Sequence, residues 1–74
     1  MKETKQIIVK IEEPFITLGQ LLKKCDLVST GGEAKFFLSS HDIQVNGENE
    51  NRRGKKCFEG DQILIDGQEY LISK

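Results

Sequence analysis

A chain of 74 residues, 36% hydrophobic and 31% charged, can close one small core and is expected to form a single domain over residues 1–74. This balance excludes both an intrinsically disordered chain and a membrane protein, since no apolar run exceeds three residues where a spanning helix needs about 20. The net charge of -1 leaves any polarity of the surface to the local arrangement of charges, and MKETKQIIVKIEEP lacks the apolar stretch of a secretion signal, so a cytoplasmic protein with no membrane partner is expected.

Residues Gln6 to Glu12 alternate, with Ile7, Val9 and Ile11 pointing one way and Ile8, Lys10 and Glu12 the other, as a half-buried strand does until Pro14 stops it. This strand either pairs with the last strand or joins as an edge. Thr17 then caps a helix in which Leu18, Leu21, Leu22 and Cys25 form one buried stripe, while Lys23 and Lys24 sit at its C-terminal end, where cations favour the helix dipole. After Asp26-Leu27-Val28, the segment STGGEAKFFLSSH begins a second helix. Thr30 and Glu33 have capping-box spacing, and Ala34, Phe37, Leu38 and His41 repeat the stripe. Phe36 falls off that stripe and is expected to be partly buried against the sheet, the alternative being that it is the one aromatic free to touch a bound partner. The pair Gly31-Gly32 leaves backbone N–H groups uncovered, either as an approach for an anion or simply as the inter-helix turn.

From Ile43 the period changes to two. Ile43 and Val45 lead into Asn46-Gly47, a strong hairpin signal, and the returning strand would carry Glu48, Glu50, Arg52 and Lys56 with an exposed or irregular middle. Glu59-Gly60-Asp61 makes a turn, Ile63 and Ile65 alternate in a strand, Asp66-Gly67 turns again, and Tyr70 and Ile72 alternate in the last strand. The order predicts an α+β fold: two short helices packed on a small, mostly antiparallel sheet. The expected core is Leu18, Leu21, Leu22, Leu27, Ala34, Phe37, Leu38, Ile43, Val45, Ile63, Ile65 and Tyr70.

The chemistry of an enzyme is not visible. Ser39, Ser40 and His41 are consecutive, and consecutive helical residues project in different directions, so they cannot relay a proton among themselves. GGEAK lacks the spacing of a phosphate-binding P-loop. Cys25 and Cys57 read as structural thiols, and with the single His41 they offer no chelating pair, so neither metal nor cofactor is expected.

The basic run is more informative. Arg52, Arg53, Lys55 and Lys56 flank Gly54, which suits contact with a polyanion, although surface strands also carry cations to discourage edge association. If the two helices and the hairpin lie side by side, Lys23, Lys24, Ser29, Thr30, Lys35, Asn46 and the basic run form one face of hydroxyls, amides and cations. The alternative use of such a face is docking of an acidic protein partner.

The segment from Ile16 to Ile65 resembles the RNA-binding domain named after ribosomal small-subunit protein four, also called the alpha-L motif. A leucine helix, a Ser-containing turn before a helix with Ala34-Lys35, the turn Val45-Asn46-Gly47 and the turn Gly60-Asp61 before an apolar strand occur in the family's order. The resemblance covers about two thirds of the chain, and its size is that of the short stand-alone members. It implies non-enzymatic binding of structured RNA, ribosomal RNA foremost, through the two helices and the hairpin, with a role in ribosome assembly or translation and ribosome-associated proteins as further partners. The family often has Arg at the start of the first helix and after the Ser of the second. Thr17 and Thr30 occupy those places here, which leaves Arg52, Arg53, Lys55 and Lys56 as the cations available to replace them.

Overall fold

A computed structural model describes residues 5–74. The elements in chain order are β1 (Ile7–Lys10), β2 (Phe15–Thr17), α1 (Leu18–Lys24), α2 (Gly31–Ser40), β3 (Ile43–Val45), β4 (Glu48–Asn49), β5 (Lys56–Phe58), β6 (Gln62–Ile65) and β7 (Gln68–Ser73). Five strands form one sheet in the order β1-β7-β6-β3-β4, and β2 pairs with β5 in a separate two-stranded sheet. The pairings β3–β4, β3–β6, β6–β7 and β2–β5 are antiparallel, while β1 runs parallel to β7 at the sheet edge. The fold is thus the α+β arrangement the sequence indicates, with the N-terminal strand both joined to the last strand and placed at an edge.

The core follows the two periodicities. Leu18, Leu21 and Leu22 of α1 and Ala34 and Leu38 of α2 share one buried cluster with Ile43, Val45, Ile63, Ile65, Tyr70 and Ile72 of the sheet. Val9, Ile11, Ile16, Val28 and Cys57 complete that cluster, whereas Leu27 and Phe37 are only partly buried against it. Along β6 the burial alternates strictly, with Ile63 and Ile65 inward and Gln62 and Leu64 outward, so one sheet face carries the helices and the other meets water.

Local chemistry sets the ends of each helix. Thr17 and Gln20 form a reciprocal capping box at the start of α1. At its end Asp26 adopts φ 65°, and the N–H groups of Asp26 and Leu27 donate to the carbonyls of Lys23 and Leu22, which is the Schellman pattern. Asn46-Gly47 (φ 53° and 88°) and Asp66-Gly67 (φ 49° and 89°) take the doubly left-handed conformation that closes two-residue hairpins.

Four expectations need correction. The strand returning from Asn46-Gly47 ends at Asn49, and Lys56 belongs instead to β5, which pairs with β2 rather than β3. Ile7 does not join the inward face of β1 but is 41% exposed, because only Val9 and Ile11 reach the core from that segment. Thr30 caps α2 by accepting from the Glu33 N–H, yet Glu33 reaches past Thr30 to the Ser29 N–H, so the reciprocal half of the box is displaced by one residue. Phe36 is 74% exposed instead of packing on the sheet, since Ala34 and Leu38 already fill the buried side of α2.

Candidate nucleic-acid interface

The basic run is a turn sewn to the start of α1. The Lys55 N–H donates to the Arg52 carbonyl at 3.2 Å, with Arg53 and Gly54 at the corner. The Leu18 and Gly19 N–H groups donate to the Lys55 and Arg53 carbonyls at 2.8 and 2.9 Å, and Thr17 accepts from Gln20. A helix start leaves its first N–H groups without intrahelical partners. Here they are used to fix the position of the turn. Gly19 permits this approach: a Cβ on it would lie 3.3 Å from both the Cβ and the carbonyl oxygen of Arg53.

Arg53 extends the join to α2. Its Nη1 donates to the Gly31 carbonyl at 2.9 Å, which ties the turn to the first residue of the second helix. A guanidinium has five N–H donors, so this single bond leaves donors and the full charge for another acceptor. Arg52 is engaged differently: its Nε and Nη2 donate to the Glu50 carboxylate at 2.9 and 3.2 Å, and its backbone N–H adds a bond at 3.2 Å. These contacts hold the Glu50 carboxyl down at about 2, well below the usual range, the Arg52 side-chain bond being the largest cause. Lys55 is half-buried along the turn, and the Lys56 ammonium sits 5.0 Å from the centre of the Phe15 ring. Arg52, Gly54, Lys55, Lys56 and Phe58 line an open concavity.

The remaining candidates fall into three groups. Ser29, Thr30 and Lys35 are exposed around the start of α2, the element that Arg53 contacts. Lys23 is exposed on the last turn of α1, while Lys24 lines a depression with Ile7, Ile8, Val9, Lys10, Cys25 and Tyr70, on the β1 side of the molecule. Asn46 has a local structural task. Its amide nitrogen donates to Asp61 at 3.1 Å and its amide oxygen accepts from the Gln62 N–H at 2.9 Å, pinning the hairpin to the neighbouring turn.

A family model described as S4 domain matches residues 9–73. The chain belongs to the S4 domain family. It is also 49% identical over 59 residues to the probable ribosome maturation protein RlbA of Bacillus subtilis (strain 168), an alignment spanning 80% of this chain and 83% of that protein.

Thr17 and Thr30, the positions at which the resemblance led to an expectation of Arg, both serve as helix caps. A guanidinium has no acceptor and could not perform that task. Arg53 instead reaches the start of α2 from the turn. Gly19 and Glu50 were not read as parts of the site from the sequence. A glycine in the first turn of a helix is the available signal for the first, and an acid two residues before an arginine for the second.

Elsewhere, the polar groups serve the fold. Ser39 and Ser40 Oγ both donate to the Phe36 carbonyl at 2.8 Å, while His41 stacks on Phe37 and bonds Asp66 through Nδ1 at 2.5 Å. The His41 bond, followed by the Asp42 backbone N–H, holds the Asp66 carboxyl below its ordinary value. Burial, reinforced by the Asp61 charge, pushes the Cys57 thiol up to about 11, and burial also raises Cys25 against the opposing charge of Lys24. Such thiols are poor nucleophiles at neutral pH. Among the described residues no helix is long and apolar enough to cross a membrane.

Proposed function

We propose that the chain binds structured RNA, with ribosomal RNA as its target, as a non-enzymatic factor in ribosome maturation. The observation that carries this reading is the turn Arg52–Lys55, bonded to the start of α1 through two backbone carbonyls and to α2 through Arg53. Four cations of a chain with net charge -1 are thereby held in or beside one rigid junction of the family's helical motif. A duplex RNA offers a regular phosphate backbone and a shallow groove of 2′-hydroxyls, which a rigid cationic surface recognises by shape. The name of the Bacillus subtilis relative supports the ribosomal context.

The test is affinity purification of the chain from cells with and without ribonuclease. Ribosomal RNA recovered with the chain, and lost together with its associated proteins on ribonuclease treatment, is the expected result. Acidic protein partners retained after complete RNA digestion, with no RNA recovered beforehand, would overturn the proposal in favour of a protein-docking module.

A further inference from the structure

The outer face of the β2–β5 ribbon carries an aromatic pair beside the basic turn. Residues directly opposite one another share a face, and Ile16 and Cys57 are buried together, so the flanking pairs Phe15–Phe58 and Thr17–Lys56 point the other way. Phe15 and Phe58 pack with ring centres 5.7 Å apart at an interplanar angle of 52°, and the Lys56 ammonium lies 5.0 Å from the centre of the Phe15 ring. Cross-strand packing is a sufficient reason for two rings on a short ribbon. It does not account for Phe58 remaining 49% exposed, nor for the groups that stand next to it.

Phe58 forms one wall of the open concavity whose other walls are Arg52, Gly54, Lys55 and Lys56. The hollow offers about 520 Å³, within the roughly 300–1,000 Å³ of sites that take one small ligand. Backbone bonds fix its walls. The Lys55 carbonyl accepts from the Leu18 N–H, the Lys55 N–H donates to the Arg52 carbonyl, and the Phe58 N–H donates to the Asp61 carboxylate at 2.7 Å. The charge of the hollow is also uncancelled on one side. Glu50 is held by Arg52, whereas Lys55 and Lys56 form no ion pair among the described residues. One aromatic ring and two unpaired ammonium groups therefore border the same space.

Resting on the RNA-binding reading above, we propose that this concavity holds one unpaired nucleotide of the bound RNA, its base stacked on the Phe58 ring and its flanking phosphates on Lys55 and Lys56. A continuous duplex could meet the lysines but would leave the ring unused, because its bases are already stacked on one another. Stacking on an aromatic ring tolerates any base, so the site selects an extruded nucleotide beside a helix and not a base sequence. Packing against Phe15 restricts the ring beforehand, so little freedom is lost when a base arrives.

The experiment titrates the full chain with two RNA hairpins, one fully paired and one with a single bulged 2-aminopurine, and repeats this with Phe58→Leu and Phe58→Tyr. Leucine keeps apolar bulk against Phe15 without a flat ring, and urea denaturation confirms that both variants are folded. The wild type should bind the bulged hairpin more tightly and quench the bulged base. Phe58→Leu should weaken that binding by about 10-fold and leave the paired hairpin unchanged, while Phe58→Tyr retains both the affinity and the quenching. Equal binding of the two hairpins by the wild type, or equal affinity of wild type and Phe58→Leu for the bulged one, would overturn the nucleotide site alone. The same holds if Phe58→Leu spares RNA binding but loses an acidic protein recovered after ribonuclease treatment, which would give the concavity to a protein partner. Failure of the wild type to bind either hairpin or isolated ribosomal RNA would overturn the RNA-binding reading itself.

Discussion

Arg53 combines two tasks that a single substitution can separate. Its guanidinium holds the start of α2 by one N–H and presents the rest of its charge to solvent. Arg53→Ala should reduce stability by about 1 kcal/mol or less, as an exposed hydrogen bond does, while weakening RNA binding by about 10-fold if a phosphate contact is lost. Arg53→Lys should recover part of the affinity, because the charge returns without the planar fork. Urea denaturation and RNA titration on the same variants check this, and unchanged RNA affinity in Arg53→Ala would remove Arg53 from the interface.

Glu50 supplies a pH signature. Its folded carboxyl titrates at about 2 against an ordinary 4.5, so between those values the unfolded chain binds a proton that the folded chain does not. Stability from this group is therefore complete above pH 4.5, declines as pH falls, and is absent below 2. Glu50→Gln should flatten the stability profile across that window. At pH 7 the same substitution releases Arg52 and is expected to tighten RNA binding by a factor of about 2 to 5, the scale of an exposed ion pair. Denaturation curves between pH 2 and 7 that superimpose for the two proteins would show that the carboxylate has no such role.

At the scale of elements, the helix ends carry most of the local specification. Asp26 occupies the left-handed position that closes α1, a place where glycine avoids the cost of a Cβ. Asp26→Gly is expected to stabilise the protein by about 0.5 kcal/mol, and a fall in the urea midpoint would contradict that assignment. Thr30→Ala should destabilise by about 1 kcal/mol through loss of the cap. Ser29→Ala should cost little, because Glu33 accepts from the Ser29 backbone and not its hydroxyl. Any loss of RNA affinity in Ser29→Ala then reports a direct contact.

The same elements explain which parts of the structure could be read from the sequence. Both helices, the turns at Asn46-Gly47 and Asp66-Gly67 and the alternation of β6 and β7 depend on neighbours a few residues away, and each left a local pattern. β2 left none: Phe15, Ile16 and Thr17 are three residues whose partners Phe58, Cys57 and Lys56 lie about forty positions downstream. The irregular course from Glu50 to Lys55 was legible as an absence of apolar residues, but its attachment to α1 was not, because backbone carbonyls carry no residue code. For the site, the cluster of cations was evident, whereas the pairing of Arg52 with Glu50 and of Arg53 with Gly31 required tertiary placement. Phe36 misled because a residue off the stripe was expected to pack partly on the sheet, whereas Ala34 and Leu38 alone face the core and leave the ring exposed.

At the scale of the whole molecule, a net charge of -1 accommodates a local cluster of cations. The cations of the turn gather where α1, α2 and β5 meet. Cations that meet phosphates displace counterions, which makes the affinity of the proposed interface depend on salt. With about four phosphates neutralised, log K for a ribosomal RNA fragment should fall against log salt with a slope of roughly -3 to -4. The decisive measurement is this slope for the wild type and for the variant in which Arg52, Arg53, Lys55 and Lys56 are all replaced by Ala, after confirming that the variant is folded. The interface described above requires the variant to bind weakly with a slope near zero; tight binding by the variant at the wild-type slope would place the RNA contact elsewhere on the domain.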